Sequence, residues 1–186
     1  MLHPAPRKAM RGFTMVELMI TIVIAAILTA IAIPSFRRII LSNRLTSTAN
    51  DVVSALNVAR MEAIKLNTPV QFCSNSSTAN TSDTLGGACG TNGSAVYTVQ
   101  NGAIIPVRAA VPGLASATQT QVQLKTISPV RYSGQGLGYA PGNTAPLDNV
   151  TVADICTASL SSDNHRVIKI SAGSVLATTT TTGTCP

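Results

Sequence analysis

A single carboxylate, Glu17, interrupts an apolar run that begins at Phe13 and ends at Pro34. The run has about the 20 residues that a helix needs to cross a bilayer. An acid inside hydrocarbon is costly, so it indicates a functional group that must be paired with a cation or a hydrogen-bond donor. The alternative is a carboxylate hydrated at the membrane interface, because Glu17 lies close to the edge of the span.

The residues before the run predict proteolytic processing at Gly12. An ordinary secretory signal is cleaved after its apolar segment, whereas here the small residue comes before it. Glycine has no Cβ and leaves the peptide bond open to a peptidase. Cleavage between Gly12 and Phe13 removes a leader over residues 1–12 and leaves the apolar helix attached. Phe13 is also explained as an aromatic anchor at the membrane interface.

All four cysteines, Cys73, Cys89, Cys156 and Cys185, follow the span. In an exported region an even number of cysteines indicates disulfides, and four allow three connectivities. We favour the sequential pairing, because Cys73 with Cys89 and Cys156 with Cys185 each close a moderate loop rich in Ser, Thr, Asn and Gly. No pair has C-x-x-C spacing and only His165 lies among the four, so we predict no metal site.

No catalytic constellation is evident in the sequence. His165 and His3 are the only histidines, and neither has a nearby Cys or Ser arranged as a nucleophile. The glycines at 134, 136 and 138 are not followed by a helical pattern and do not predict a phosphate-binding loop. We therefore predict that the chain is not an enzyme and has no cofactor.

The positive charge is concentrated in the leader. The formal net charge of +6 falls to 6 − 3 = +3 on processing, because three basic side chains precede the cleavage point. These are Arg7, Lys8 and Arg11. Such a cluster beside a span stays cytoplasmic, which places the rest of the chain outside. The other cations are spread out and do not favour nucleic acid as a partner; those past the span, Arg37, Arg38 and Arg44, are typical of a solvated helix face.

One long helix must carry these groups. Apolar residues continue past Pro34 at spacings of three and four, and Asn67-Thr68-Pro69 ends the pattern. We expect a helix from about Thr14 to Asn67, on the order of 80 Å long. Its second half is amphipathic, with an apolar stripe that comprises Leu45, Ala49, Val52, Val53, Leu56, Ala59, Ala63 and Leu66. Pro34 either kinks and loosens this helix or ends it, with a second helix from Ser35.

Beyond Pro69 short alternating runs rich in Thr, Val, Ser and Gly predict strands. Val70–Cys73 is the first, and a hairpin is expected around Asn101-Gly102. Further strands are expected over residues 122–127, 130–132, 151–156 and 166–171, and residues 74–93 are expected to form a loop. The Thr run from Thr178 to Thr182 is either a flexible tail or a last strand held by Cys185. The fold class is therefore α+β.

The N-terminal pattern resembles the type IV pilins and pseudopilins. In that family a leader peptidase cuts after the glycine and N-methylates the new terminal Phe, here Gly12 and Phe13. Counted from Phe13, Glu17 is the fifth residue and Pro34 the twenty-second, as in the family. The resemblance implies that Glu17 pairs with the methylated amine of a neighbouring subunit and sets register and recruitment. It also implies that the helix can melt or bend at Pro34 during assembly.

Within these proteins the chain is most similar to the GspH/FimT/FimU minor pilins and pseudopilins. The late-helix segment Leu56–Asn67, with Val70 and Cys73 after it, carries the likeness, and Ser133–Gly136 and Arg166–Ile170 resemble later landmarks. The implied organisation is a leader (1–12), a transmembrane part of the helix (13–34), an amphipathic part (35–68) and a periplasmic β-rich head (69–186). The implied partners are the prepilin peptidase, the inner membrane and other minor and major pilin or pseudopilin subunits.

Three functions remain open from the sequence. The favoured one is a minor pilin that helps to initiate or cap a type IV pilus. The second is the H-type minor pseudopilin of a type II secretion system. The third is a FimT-like pilin that captures DNA, which depends on a Gly-Arg-x-Arg motif whose arginines contact phosphates. The matching positions read Gly173-Ser174-Val175-Leu176, without either arginine.

Overall fold

A computed structural model describes residues 12–112, 114 and 121–186 of the chain. Apart from Gly12, the predicted leader lies outside the described residues. The helices are α1 (Met15–Leu66) and α2 (Thr84–Cys89). The strands are β1 (Val70–Phe72), β2 (Val96–Gln100), β3 (Ala103–Arg108), β4 (Gln123–Ile127), β5 (Val130–Tyr132), β6 (Gly138–Tyr139), β7 (Val150–Cys156), β8 (His165–Ser171) and β9 (Val175–Thr181). The predicted α+β class is confirmed.

Helix α1 is continuous over 52 residues and includes Pro34. The helix therefore does not end at Pro34 and restart at Ser35. It continues through the proline, which was the other interpretation of this residue. Because proline has no N–H, the carbonyl of Ala30 lacks its ordinary partner at this point. By length and composition the first part of α1 is able to cross a membrane.

The chain divides into two compact units, an N-terminal unit that ends at Ile39 and a globular unit over Ile40–Pro186. In the N-terminal unit every described side chain is exposed. In the globular unit, α1 buries the stripe Leu45, Ala49, Val52, Ala55, Leu56, Ala59 and Ala63. Alanine occupies most of this stripe, so the backbone of the helix lies close to what it covers.

Two antiparallel sheets complete the globular unit. The first has five strands in the order β3-β2-β1-β5-β6, and the second has four in the order β4-β7-β8-β9. The buried stripe of α1 shares one apolar core with both sheets. The sheets approach closely at Gly138, where an added Cβ would lie 2.9 Å from Val130 and 3.0 Å from Ile170.

The structure differs from the expectation in two segments and decides between two alternatives in a third. Helix α2 lies inside residues 74–93, which were predicted to be a loop, because Asp83 caps its first turn and Cys89 is bonded at its end. Strand β6 lies between residues 132 and 151, where no strand was predicted, and pairs with β5. Of the two alternatives for the Thr run, the structure has the last strand held by Cys185, since β9 pairs with β8 along its whole length.

Candidate functional site

The predicted processing point lies in exposed backbone just before α1. Gly12 and Phe13 precede the first residue of the helix, and the side chain of Phe13 is 76% exposed. An added Cβ at Gly12 would meet nothing within 4 Å. The fold itself therefore does not need glycine here, and any requirement for it comes from the peptidase.

Glu17 lies in the first turn of α1, and Thr14 caps that turn. The backbone N–H of Glu17 donates to Oγ1 of Thr14 at 3.2 Å, and the N–H of Leu18 donates to the Thr14 carbonyl at 3.1 Å. Thr-x-x-Glu is the spacing of a capping box. A carboxylate at this position also interacts favourably with the helix dipole, by about 0.3–1 kcal/mol.

The capping contact involves the backbone N–H of Glu17 and does not neutralise its carboxylate. The residue is exposed, and none of the ion pairs among the described residues involves it. A charged side chain at the centre of a membrane helix costs about 2.5–3.5 kcal/mol on insertion scales. Among the described residues, the Glu17 carboxylate has no cation to pair with.

In the globular unit the structure joins Cys73 to Cys89 and Cys156 to Cys185, with Cα atoms 5.4 and 5.7 Å apart. This is the sequential pairing favoured from the sequence. The first bond closes a loop and the second ties the C-terminal tail to β7. Neither cysteine pair is available for chemistry, since the described chain contains no free cysteine.

Two family models match this chain, one in the N-terminal unit and one in the globular unit. The model described as "Prokaryotic N-terminal methylation motif" matches residues 7–33. The model described as "Type II transport protein GspH" matches residues 48–174, more than half of the sequence. The chain belongs to the GspH family. No curated protein and no solved structure matches it significantly.

The GspH family is one of pilin-like structural subunits and not of enzymes. Membership implies assembly with other pilin subunits and processing by a prepilin peptidase. The methylation motif together with the apolar first part of α1 fits a membrane-anchored protein. The boundary between the units falls in residues 34–47, which neither model matches, so the family match in the globular unit is separate from the methylation-motif match.

The first disulfide loop of this GspH-family chain is organised around a buried amide, Asn80. Its side chain donates to the carbonyls of Ser74 and Gly90 at 2.8 and 3.0 Å, and its Oδ1 accepts from the Ser74 N–H at 2.7 Å. Gln71 in turn donates to the Asn80 carbonyl at 3.1 Å. An added Cβ at Gly86 would lie 1.9 Å from that carbonyl oxygen, so α2 lies directly against the loop.

An arginine of the five-stranded sheet holds the start of α2. Arg131 donates to both carboxylate oxygens of Asp83, at 2.5 and 2.9 Å, while Asp83 also accepts from the Gly86 N–H at 2.8 Å. The hydrogen bond from Arg131 lowers the pKa of Asp83 from 3.8 to about 2, against the raising effect of burial. The pKa of Asp83 is also lowered by the Gly86 N–H, the Arg131 charge and the Thr81 hydroxyl. The loop between Cys73 and Cys89 is therefore fixed by charge as well as by its disulfide.

The tail that follows β9 is fixed in a similar way. Asn164 donates to the Gly183 carbonyl at 2.9 Å and accepts from its N–H at 3.0 Å. Lys125 donates to the carbonyl of Thr184 at 3.1 Å. Cys185 then bonds to Cys156, so the tail crosses the end of the four-stranded sheet from β9 towards β4.

The histidine singled out from the sequence belongs to this end of the sheet. Nδ1 of His165 lies 2.8 Å from Oδ1 of Asp154, and its Nε2 is buried beside Gly183 with no hydrogen-bond partner in the described chain. No group of three or more metal-binding side chains occurs among the described residues. His165 is thus a packed, paired core residue, and the arrangement presents no nucleophile beside it.

Sequence reasoning missed three residues that organise these sites. Thr14 caps α1 and was recognisable from the Thr-x-x-Glu spacing. Asp83, as the first residue before α2, was recognisable only weakly, because the helix that it caps contains two glycines. Asn80 gave no local signal, since its role depends on backbone groups brought together by folding.

Proposed function

We propose that this GspH-family chain is a minor pilin that helps to initiate or cap a type IV pilus. In this proposal the chain is cleaved after Gly12, methylated at Phe13 and held in the inner membrane by α1, with the globular unit in the periplasm. The observation that carries the proposal is Glu17, an exposed carboxylate with no ion pair among the described residues, within a segment that matches the methylation motif.

The assembly step follows from complementary charges. The methylated amine of Phe13 in a neighbouring subunit is a cation that can donate to the Glu17 carboxylate, and a charge-assisted hydrogen bond of this kind is strong. Leaving either charge unpaired in the membrane costs more than the pair itself. Subunits that align amine with carboxylate are therefore favoured over other registers, and Pro34 offers a local loosening of α1 during this alignment.

Two disulfides support an exported subunit, in a pilus or in a filament confined to the envelope, because the periplasm and the outside of the cell are both oxidising. The loop between Cys73 and Cys89 and the tail bonded through Cys185 are both closed covalently. A subunit that a pilus carries outside the cell must keep its fold in an oxidising medium without assistance, which such bonds support.

The second candidate is the minor pseudopilin of a type II secretion system. The printed description of the matched family, a type II transport protein, favours it. DNA capture is not favoured, because Gly173 and Ser174 lie in the turn before β9 and Val175 and Leu176 begin that strand, with no arginine among the four.

Complementation of a deletion strain separates these functions. Pili sheared from the cell surface and proteins released into the medium are measured in the deletion strain, and again after the chain or its Glu17→Gln variant is restored. Loss of pili with normal secretion, rescued by the chain and not by the variant, is the expected result. Loss of secretion with normal pili would establish the pseudopilin instead, and no defect in either would contradict both.

A further inference from the structure

Arg37 and Arg38 are the first charged residues that follow Glu17 in α1. The stretch between Glu17 and Arg37 has 36 − 17 = 19 residues, and none of them is charged. As a helix these residues span about 28 Å, close to the roughly 30 Å hydrocarbon core of a bilayer. When this stretch crosses a membrane, the two arginines lie at the membrane boundary, on the side that leads to the globular unit.

Neither arginine has a carboxylate partner in the described part of the chain. None of the ion pairs there involves them, and no Asp or Glu lies between Glu17 and Asp51. Glu17 is 37 − 17 = 20 residues from Arg37, and Asp51 is 51 − 38 = 13 residues from Arg38. Side chains of one helix pair over three or four residues, so both acids are too distant. Both arginines are exposed and accessible to an anion from outside the chain.

The residues around the two arginines indicate contact with lipid rather than with water alone. Phe36, Ile39 and Ile40 flank them and are 67%, 54% and 40% exposed. Apolar side chains interleaved with cations are typical of a segment at a membrane interface. There the apolar groups enter the boundary of the acyl chains, while the charged ends of long side chains reach the headgroups.

Helix geometry directs both arginine side chains towards the membrane. Each Cα–Cβ bond of a helix tilts towards the N-terminus, and a long side chain extends over the turn that precedes its own Cα. The N-terminal direction from Arg37 and Arg38 is that of the apolar span. A guanidinium at this depth meets phosphate groups, which it binds through paired, charge-assisted hydrogen bonds.

We propose that Arg37 and Arg38 bind the phosphate groups of anionic phospholipids at the boundary of the membrane that α1 crosses. An anionic lipid such as phosphatidylglycerol carries a phosphate charge that no amine offsets, whereas the phosphate of a zwitterionic lipid is balanced within its own headgroup. The two arginines do not anchor the chain, because the apolar part of α1 does so. They select the lipids beside the helix. The proposal rests on the membrane anchor of the proposed function and is independent of the filament that the chain joins.

Arg44, the next cation along the chain, provides a matched comparison. It is also exposed, but it belongs to the globular unit and donates a hydrogen bond to the side chain of Gln121. It follows Arg38 by 44 − 38 = 6 residues, more than one further turn from the span. Arg44 therefore has the same charge as the proposed lipid-binding residues without their position.

The lipid selectivity of the reconstituted chain tests this site. The chain is placed in phosphatidylcholine vesicles, and electron paramagnetic resonance of spin-labelled lipids gives the association constant of phosphatidylglycerol relative to that of phosphatidylcholine. An arginine near an anionic surface contributes on the order of fivefold to such a ratio. The wild type should therefore have a ratio of about five or more, and Arg37→Gln combined with Arg38→Gln should bring it within about twofold of one.

Two matched variants separate the position of the charge from its presence. Arg37→Lys combined with Arg38→Lys keeps both charges and should stay within about twofold of the wild-type ratio. Arg44→Gln removes a cation outside the site and should also stay within about twofold. Leader cations that are retained on the chain are common to all these proteins and cancel in the comparison. Salt at about 1 M should lower the wild-type ratio towards one, because it screens charges beyond about 3 Å.

Two controls separate this site from the membrane anchor and from the fold. Flotation of the vesicles after an alkaline wash verifies that the chain is inserted, and peptide mapping of both disulfides verifies that the globular unit is folded. A chain that does not float contradicts the anchor, and with it the proposed function.

Three results would overturn the lipid site alone. The first is a wild type that floats but does not prefer phosphatidylglycerol, which is also the result expected if the two arginines bind a carboxylate of another subunit instead. The second is a double-glutamine variant that keeps the preference. The third is an Arg44→Gln variant that loses the preference as fully as the double-glutamine variant does.

Discussion

The two halves of α1 have the same secondary structure but different partners. From Met15 to Ile39 every side chain is exposed, while from Ile40 to Leu66 one stripe is fully buried against both sheets. Burial of a leucine side chain contributes about 1.5–3 kcal/mol. The second half obtains this stabilisation within the chain, whereas the first half buries no side chain against the described residues.

The glutamates of the helix show the same contrast. Glu62 in the second half pairs with Lys65 at 3.4 Å on the surface of the globular unit. Glu17 in the first half has no ion-pair partner among the residues that the structure describes. The second half of α1 thus pairs its glutamate within the chain, whereas the first half carries a carboxylate for which the described residues provide no cation.

The largest expected effect is on processing, in the N-terminal unit alone. Gly12→Leu should block cleavage completely, because a bulky side chain obstructs the peptidase, and the precursor should stay in the membrane. The space around Gly12 is open, so the globular unit should fold normally. Mass spectrometry of the membrane-bound chain should show N-methylated Phe13 as the first residue in the wild type and Met1 in the variant. A normally cleaved variant would contradict the assigned site.

The next effect contrasts two leucines of one helix. Leu56→Ala removes a fully buried side chain and should lower the free energy of unfolding by about 2–5 kcal/mol. Leu28→Ala removes one that is 63% exposed and should leave that free energy unchanged. Tyrosine fluorescence during denaturation in detergent reports on the globular unit alone, since Tyr97, Tyr132 and Tyr139 are the only tyrosines. Equal losses in both variants would remove the distinction between the halves.

The disulfides should stabilise the globular unit by similar amounts. Chain entropy predicts losses of about 3.1 kcal/mol for Cys73→Ala with Cys89→Ala and about 3.6 kcal/mol for Cys156→Ala with Cys185→Ala. The second loop is longer, with a sequence separation of 29 against 16. The same tyrosine assay measures both losses. Membrane extraction of both variants should resemble that of the wild type, and weakened anchoring would show that the units are not independent.

The smallest effect is the acid sensitivity of the first disulfide loop. The pKa of Asp83 is lowered to about 2, so its contribution is present above pH 3.8 and is lost as the pH falls towards 2. The carboxylate is 47% exposed, and such pairs contribute about 0–1 kcal/mol. Between pH 4 and 2 the wild type should therefore lose up to about 1 kcal/mol more than Asp83→Asn. Parallel stability curves for the two proteins would exclude this contribution.

The sequence predicts the features that rest on local patterns. The bounds of α1 follow from its apolar spacing and Pro69 to within one residue at each end. The hairpin at Asn101-Gly102 follows from its turn residues, and both have positive φ angles of 50° and 79°. Ala55 is buried but was not in the predicted stripe, while Val53 and Leu66 were in it and are only half-buried.

Features that rest on distant contacts were harder to predict. Helix α2 has a poor helical sequence with Gly86 and Gly87, and its support comes from Arg131, 48 residues beyond Asp83. Strand β9 has no alternation of apolar and polar residues, and only pairing with β8 shows that it is a strand. The N-terminal site stays a prediction from Gly12, Phe13 and Glu17, and it could be made from the sequence because it depends on spacing along one segment, which the methylation motif also matches.

The central claim is that Glu17 carries the assembly information of the chain. Glutamine keeps the capping position of a glutamate at the third residue of a helix but removes its charge. Glu17→Gln should therefore be inserted and processed normally, yet should no longer co-purify with the other filament subunits. The matched variant Glu62→Gln, in the second half of α1, should co-purify like the wild type. Quantitative mass spectrometry of cross-linked filament subunits decides between the outcomes: loss for Glu17→Gln alone is the predicted result, and normal recovery of that variant would contradict the account.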